Sequence, residues 1–235
     1  MELNSESNNE NVENFDIKRD LPPDKYDKSI KVILLGDSNV GKSSLINKLI
    51  NKKFLNVQST LSIEYHTYII SINEYVLRMQ LWDTAGQEKF NSIIDNYYKG
   101  ADIGIFLYSI DKEESFEHVK DWYNNLQSNN SYSKNILLGN KTDLDENERK
   151  ITKEQGEIFA KEKNFFLFKE ISCKSDQKNE LDNIIDVFDT IGKYYYKCRR
   201  NVSVVDDSAY IASSSIIDVN LKSIKKKKKQ NKCCH

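Results

Sequence analysis

Cysteine, glycine, unbroken apolar stretches and net charge are all scarce in this chain of 235 residues. Four cysteines, at 173, 198, 233 and 234, make a poor disulfide framework for this size, and the expected setting is reducing cytosol. No run approaches the ~18 consecutive apolar residues of a spanning helix. The first thirty residues hold no apolar signal-peptide core, and Glu2 after Met1 argues against an N-terminal myristoyl signal. With 35 Lys and Arg against 36 Asp and Glu the net charge is −1, so bulk charge offers no case for nucleic-acid binding. The 8 glycines are few enough that a glycine-defined motif carries weight.

The charge that is present lies unevenly. Residues 1–28 are polar, Asn-rich and acidic on balance, while Lys225 to Lys229 form an unbroken basic run. Neither end can bury much, so residues 1–28 are expected to be a disordered extension and 201–235 a flexible tail. A single folded domain is expected over roughly 29–200.

Within that domain strands alternate with helices. Strand patterns run over 30–35, 63–72, 75–82, 102–110, 134–139 and 165–171. Asn73-Glu74 marks a hairpin turn between the second and third. Helical spacing covers 42–50, 113–127, about 152–163 and about 178–198. In 113–127, Phe116, Val119, Trp122, Tyr123 and Leu126 share one face, and Phe165, Phe166 and Phe168 fit core positions. This order predicts a three-layer α/β fold, its mostly parallel six-stranded sheet carrying one antiparallel edge strand from the hairpin. His66 and His118 read as isolated surface or sheet residues, and Tyr194-Tyr195-Tyr196 as part of the last helix.

Gly36-Asp37-Ser38-Asn39-Val40-Gly41-Lys42-Ser43 fits G-x-x-x-x-G-K-[ST] between a strand and a helix. A shuffled chain this poor in glycine would show the pattern on the order of once in a few hundred trials. Successive N–H groups of such a loop form an anion-binding concavity, and the helix N-terminus adds its positive dipole end. Lys42 can reach β- and γ-phosphates, and the Ser43 hydroxyl can bind Mg²⁺. Asn39 stands where glycine is commoner, but asparagine tolerates left-handed backbone. The loop is predicted to hold a nucleoside phosphate with Mg²⁺.

Two further motifs say what is done with it. In Leu81-Trp82-Asp83-Thr84-Ala85-Gly86-Gln87-Glu88, Asp83 can hold Mg²⁺ through water, Gly86 lets the backbone approach a γ-phosphate, and Gln87 can orient an attacking water. In Gly139-Asn140-Lys141-Thr142-Asp143, the aspartate can accept two hydrogen bonds from guanine, at N1–H and the exocyclic amine. Adenine lacks that amine and presents an acceptor at N1, so a site built this way can reject it by roughly 10⁴–10⁵.

With these motifs, residues 29–200 resemble the Ras superfamily of small GTPases and, within it, the Rab family. GDSNVGKS, WDTAGQE, GNKTD and Ile171-Ser172-Cys173-Lys174 carry the resemblance. Asn96-Tyr97-Tyr98-Lys99-Gly100-Ala101 is similar to the tyrosine-rich segment that separates Rab from Ras and Rho. The resemblance implies a P-loop NTPase fold of the Ras-like G-domain type. It implies that Asn39, Val40, Gly41, Lys42, Ser43 and Ser44 surround the phosphates of GTP or GDP. Phe54 would stack on guanine, Thr60 would ligate Mg²⁺ with Ser43 and Asp83, and Gly86 would face the γ-phosphate. Asn140, Lys141, Asp143, Ser172, Cys173 and Lys174 would hold the base, Cys173 through its backbone N–H to the guanine oxygen. Lys42 and Gln87 would be catalytic. Implied partners are an exchange factor, a GTPase-activating protein, a GDP-dissociation inhibitor or escort protein, and effectors, met by a monomer. Ser62 departs from the family's usual glycine, and the loop from Phe54 to Thr60 is one residue short.

The tail bears on location. Lys232 as the fourth residue from the end rules out a C-a-a-X box, whereas Cys233-Cys234 resembles the paired Rab prenylation site, with His235 following. Stable anchoring needs two signals, which two prenyl groups meet, and each lysine near an anionic leaflet adds about 1 kcal/mol. The expected address is the cytoplasmic face of intracellular membranes or vesicles, with a cytosolic pool. Two other classes compete with the hydrolytic switch: a GTP-binding interaction module that hardly turns over, suggested by the changes near Thr60, and a nucleotide kinase or ATPase. Gln87 counts against the first and Asn140–Asp143 against the second.

Overall fold

A computed structural model describes residues 13–22, 25–54, 63–84, 97–130, 133–175 and 177–200. The strands are β1 (Ile17–Arg19), β2 (Lys28–Leu35), β3 (Glu64–Ile72), β4 (Tyr75–Asp83), β5 (Ile103–Ser109), β6 (Lys134–Asn140) and β7 (Leu167–Ile171). The helices are α1 (Lys42–Asn51), α2 (Glu113–Glu117), α3 (Val119–Asn129), α4 (Lys153–Glu162) and α5 (Lys178–Arg200).

The strands form one sheet in the order β1-β3-β4-β2-β5-β6-β7. From β4 to β7 every pairing is parallel, and β3 runs antiparallel to both its neighbours. Successive side chains point to opposite faces, so the central strands build two cores at once. Val32, Leu34, Ile103, Ile105, Leu107, Ile136 and Leu138 enter one core with Leu45 and Leu49 of α1 and Ile184, Val187, Phe188 and Ile191 of α5. Ile33, Leu35, Phe106, Tyr108 and Leu137 enter the other with Val119, Trp122 and Leu126 of α3 and Ala160 of α4. Every residue of β5 is buried, as a parallel strand covered on both faces requires. Phe165, Phe166 and Phe168 are core residues, as their pattern suggests. At the hairpin, Asn73 (φ 47°) and Glu74 (φ 68°) both adopt positive φ, the type I′ signature that matches strand twist.

Two details depart from expectation. The stretch 113–127 is not one helix: it breaks at His118, the boundary between α2 and α3. Among the described residues the sheet has seven strands rather than six, because Ile17–Arg19, within the stretch expected to be disordered, pairs with Ile70–Ile72. The antiparallel strand β3 still lies at the edge from Glu64 to Ile69, with β1 added beside its last three residues.

Long-range ties hold that added strand. The Asn73 N–H donates to the Asp16 carbonyl and the Asp16 N–H to Asn73 Oδ1, both at 2.8 Å. The Arg19 guanidinium donates twice to the Asp189 carboxylate on α5, and Lys52 at the end of α1 lies 3.4 Å from Asp20. The Phe15 ring meets Tyr196 edge-on, and Lys197 pairs with Glu13 at 2.7 Å. Asp189 is nearly buried, so losing its partner strands a carboxylate, a penalty moderated by the one-third exposure of Arg19. Replacing Arg19→Ala should lower stability by about 1–2 kcal/mol, read as a lower urea midpoint at unchanged slope. An unshifted midpoint would show that this pair does not fasten the strand.

Candidate functional site

Five parallel strands bring their C-terminal ends to one rim, the place where open α/β sheets bind ligands. Residues 36–41 follow β2, Asp83 ends β4, Ile110 and Asp111 follow β5, Asn140–Asp143 leave β6, and Ser172–Ser175 leave β7.

The loop after β2 is possible because of its glycines. A Cβ on Gly36 (φ 138°) would lie 2.2 Å from the Leu107 carbonyl oxygen, and one on Gly41 (φ 105°) 2.1 Å from Asn140 Nδ2. Asn39 holds φ 63°, the left-handed conformation asparagine accepts. Val40 is fully buried and anchors the loop in the core. At the N-terminus of α1 no side chain caps the helix and no acidic residue sits in the first turn. By contrast, α4 is closed by a reciprocal Thr152–Gln155 capping box. Lys42, 5% exposed, curls its ammonium back to the carbonyls of Gly36 (2.6 Å) and Asp37 (2.7 Å), across the mouth of the loop. Ser43 and Ser44 follow, both partly buried.

Beside that mouth sits Asp83. It is 1% exposed, and among the described residues neither carboxylate oxygen has a hydrogen-bond partner in good geometry. Burial pushes its pKa up from the ordinary carboxylate value; the nearby Ser43 hydroxyl and Lys42 ammonium draw it partly back. A buried anion left unsatisfied between a hydroxyl and an ammonium fits a missing cation shell. The donor set is all oxygen, the chemistry that suits Mg²⁺.

The base-side loops are closely bonded. Asn140 (2% exposed) donates from Nδ2 to the Val40 carbonyl at 2.7 Å and accepts at Oδ1 from the Cys173 N–H at 3.1 Å. The Ser172 hydroxyl donates to Asp143, and Ser172 Oγ accepts the Ser175 N–H at 2.9 Å. Lys141, at φ 76°, reaches Asp111. Arg149 grips Glu170 with two donors, at 2.7 and 3.1 Å, and so fixes the approach of β7. Cys173 is buried and its thiol is pushed up to about 12, chiefly by desolvation, so it stays protonated and inert. Lys174 is exposed.

The structure thus brings together Asn39, Val40, Gly41, Lys42, Ser43, Ser44, Asp83, Asn140, Lys141, Asp143, Ser172, Cys173 and Lys174 around one rim. Phe54, half-buried, ends the described segment after α1. Thr60, Gly86, Gln87, Cys233 and Cys234 lie outside the described residues. Three contributors were not anticipated. Lys48, 2% exposed, donates to the Ser175 carbonyl at 2.9 Å, and its place beside Leu45 and Leu49 on the apolar face of α1 was the available signal. The Glu180 carboxylate accepts the Ser172 N–H at 3.1 Å. His118 is partly exposed but not isolated: its ring meets Asp37 of the phosphate loop.

The model of the Ras family matches residues 31–197. Ras-related protein Rab11B of Nicotiana tabacum is 33% identical over 215 residues, 90% of this chain and 95% of its own. The chain is a Rab-family small GTPase. Ras-related protein SEC4 of Saccharomyces cerevisiae is 37% identical to this Rab over 170 residues, 72% of one chain and 75% of the other. GTP-binding protein ypt3 of Schizosaccharomyces pombe is 31% identical over 217 residues, 90% and 98%. This Rab binds GTP and GDP, hydrolyses GTP and regulates vesicle traffic with regulators and effectors as partners. Among the described residues no helix is long and apolar enough to cross a membrane.

The raised pKa of Asp83 has a definite sign. Its charged form is disfavoured in the folded state, so stability falls as pH rises from the ordinary carboxylate value through the raised one. Freed of nucleotide and metal, Asp83→Asn should therefore withstand more urea than wild type at pH 7, with the gap closing toward pH 4. The same variant should lose the Mg²⁺ dependence of GDP retention. A lower urea midpoint at pH 7 would contradict the cation-site reading.

Proposed function

We propose that this Rab is a Mg²⁺-dependent switch that turns over slowly alone and releases its effectors on hydrolysis. The orphaned Asp83 carboxylate, buried between Ser43 and Lys42, supports this reading most directly. Ser43, Thr60 and, through water, Asp83 would hold Mg²⁺, which when bound supplies counter-charge to the β- and γ-phosphate oxygens. The backbone N–H groups of Asn39 to Ser44 cradle the phosphates, and Lys42 exchanges its two loop carbonyls for phosphate oxygens. Gly86 admits the backbone to the γ-phosphate, and Gln87 orients the attacking water. Phe54 stacks on guanine, and Asp143 accepts from its N1–H and amine. Asn140, Lys141, Ser172 and Lys174 hold the rim, and the Cys173 N–H meets the base oxygen.

Arg78 is the only arginine between Gly36 and Gln87, and it is engaged elsewhere: its Nε donates to Ser29 Oγ at 3.1 Å and its guanidinium lies 4.0 Å over the Tyr26 ring. With no internal arginine to stabilise the transition state, a GTPase-activating protein would supply roughly 10³–10⁵-fold. Residues 201–235 then act as a tether, with Cys233 and Cys234 prenylated and Lys225 to Lys229 favouring an anionic cytoplasmic leaflet. Exchange factor, activator, and inhibitor or escort protein would meet a monomer that cycles between membrane and cytosol.

The decisive experiment denatures the purified chain, identifies the released nucleotide, and follows single-turnover hydrolysis of reloaded GTP. Guanine nucleotide alone is expected, with hydrolysis slow, lost in Gln87→Leu, and accelerated by an activating protein. Rapid turnover without a partner would overturn the proposal, as would chelation of Mg²⁺ that leaves GDP release unchanged.

A further inference from the structure

The phosphate loop carries an acidic side chain, Asp37, where an anion is to be bound. Two donors hold that carboxylate, one on each oxygen. His118 Nδ1 lies 2.7 Å from Oδ2, and Trp122 Nε1 donates to Oδ1 at 3.0 Å. A carboxylate oxygen accepts, so Nδ1 carries the proton of that bond. His118 and Trp122 are four residues apart, which puts both donors on one helical face above the loop.

Their placement follows from the helix break. The His118 N–H donates to the Glu114 carbonyl at 3.0 Å, while the His118 carbonyl accepts from the N–H groups of Asp121 and Trp122. Upstream, the Ser115 hydroxyl accepts the Ser109 N–H at 3.0 Å, tying α2 to the end of β5. The imidazole is thus mounted on the core rather than on a free surface helix. On the loop side, the Asp37 backbone carbonyl is one of the two that accept the Lys42 ammonium. One residue therefore joins α3 to the lysine aimed at the phosphates.

We propose that His118 and Trp122 are positioning residues for the phosphate loop, clasping Asp37 so that its charge is turned from the bound phosphates and the loop backbone that Lys42 spans is held in place. Two physical needs meet here. An unclasped carboxylate among amides that face an anion repels that anion. The loop also holds Asn39 in left-handed backbone, a conformation that costs on the order of 1 kcal/mol and persists where neighbours enforce it. The clasp supplies counter-donors for the first and rigidity for the second, and so slows release of GDP.

The test loads full-length protein with a fluorescent GDP analogue and times its release into excess GDP at fixed Mg²⁺. His118→Ala should speed release by roughly tenfold, the scale of one hydrogen bond to a charged group. His118→Asn, whose amide N–H reaches nearly the same point as Nδ1–H, should stay within about twofold of wild type. In an Asp37→Ala background, where there is no carboxylate to turn away, His118→Ala should have no further effect. Release at the wild-type rate in His118→Ala overturns the proposal. So do equal acceleration in His118→Asn and the same acceleration with Asp37 absent. Should His118→Ala fail to fold, Trp122→Phe, which loses only the indole N–H and some packing, must still release faster than wild type.

Discussion

One side-chain amide determines how the two halves of the nucleotide site lie relative to each other. Asn140 donates to the Val40 carbonyl in the phosphate loop and accepts the Cys173 N–H in the loop after β7, while its own carbonyl accepts the Ile110 N–H. Only a group that donates and accepts from adjacent atoms can do this; a carboxylate would leave Val40 without a donor, and a leucine would strand both partners in the core. Gly41 is the counterpart, since any Cβ there would occupy the space of the amide nitrogen. Three loops distant in sequence thus share one buried point, and the distance from phosphate cradle to base pocket is built into the fold.

Around that point the polar groups are satisfied in layers. Ser172, Asp143, Ser175, Lys48 and Glu180 complete one another's hydrogen bonds, and Arg149 with Glu170 braces the strand beneath them. Such networks hold a unique arrangement because any missing member leaves a costly unpaired group. Against this background the bare carboxylate of Asp83 stands out. Its desolvation is a cost to the folded chain that binding can relieve, the usual trade between stability and function at a site.

Much of this was legible in the sequence, for physical reasons that differ by element. Near-continuous apolar runs in 30–35, 102–110 and 134–139 announce strands covered on both faces, and successive residues of each run divide between the two cores. Gly36 and Gly41 are informative because sterics leave no other choice. What escaped notice depends on partners far along the chain. The strand Ile17–Arg19 has no periodicity of its own; backbone pairing and an ion pair 170 residues away hold it. The break at His118 follows no proline or glycine. Lys48 stands out only by its place on the apolar face of α1, and the carbonyl that accepts from it lies 127 residues on. Long sequence separation hides a residue's role more than unusual chemistry does.

The added strand also changes the outline presented to other proteins. Its pairing covers Ile70 to Ile72 and leaves Glu64 to Ile69, six of the nine residues of β3, outside that ladder. There Tyr65 is 48% exposed and leans edge-on against Trp82 of β4, with ring centroids 5.4 Å apart. Among the described residues the margin on that side is therefore β1 beside Ile70–Ile72 and β3 itself along the rest. The edge backbone nearest the nucleotide site is thus that of β3, while farther along the same side it belongs to this protein's own N-terminal residues.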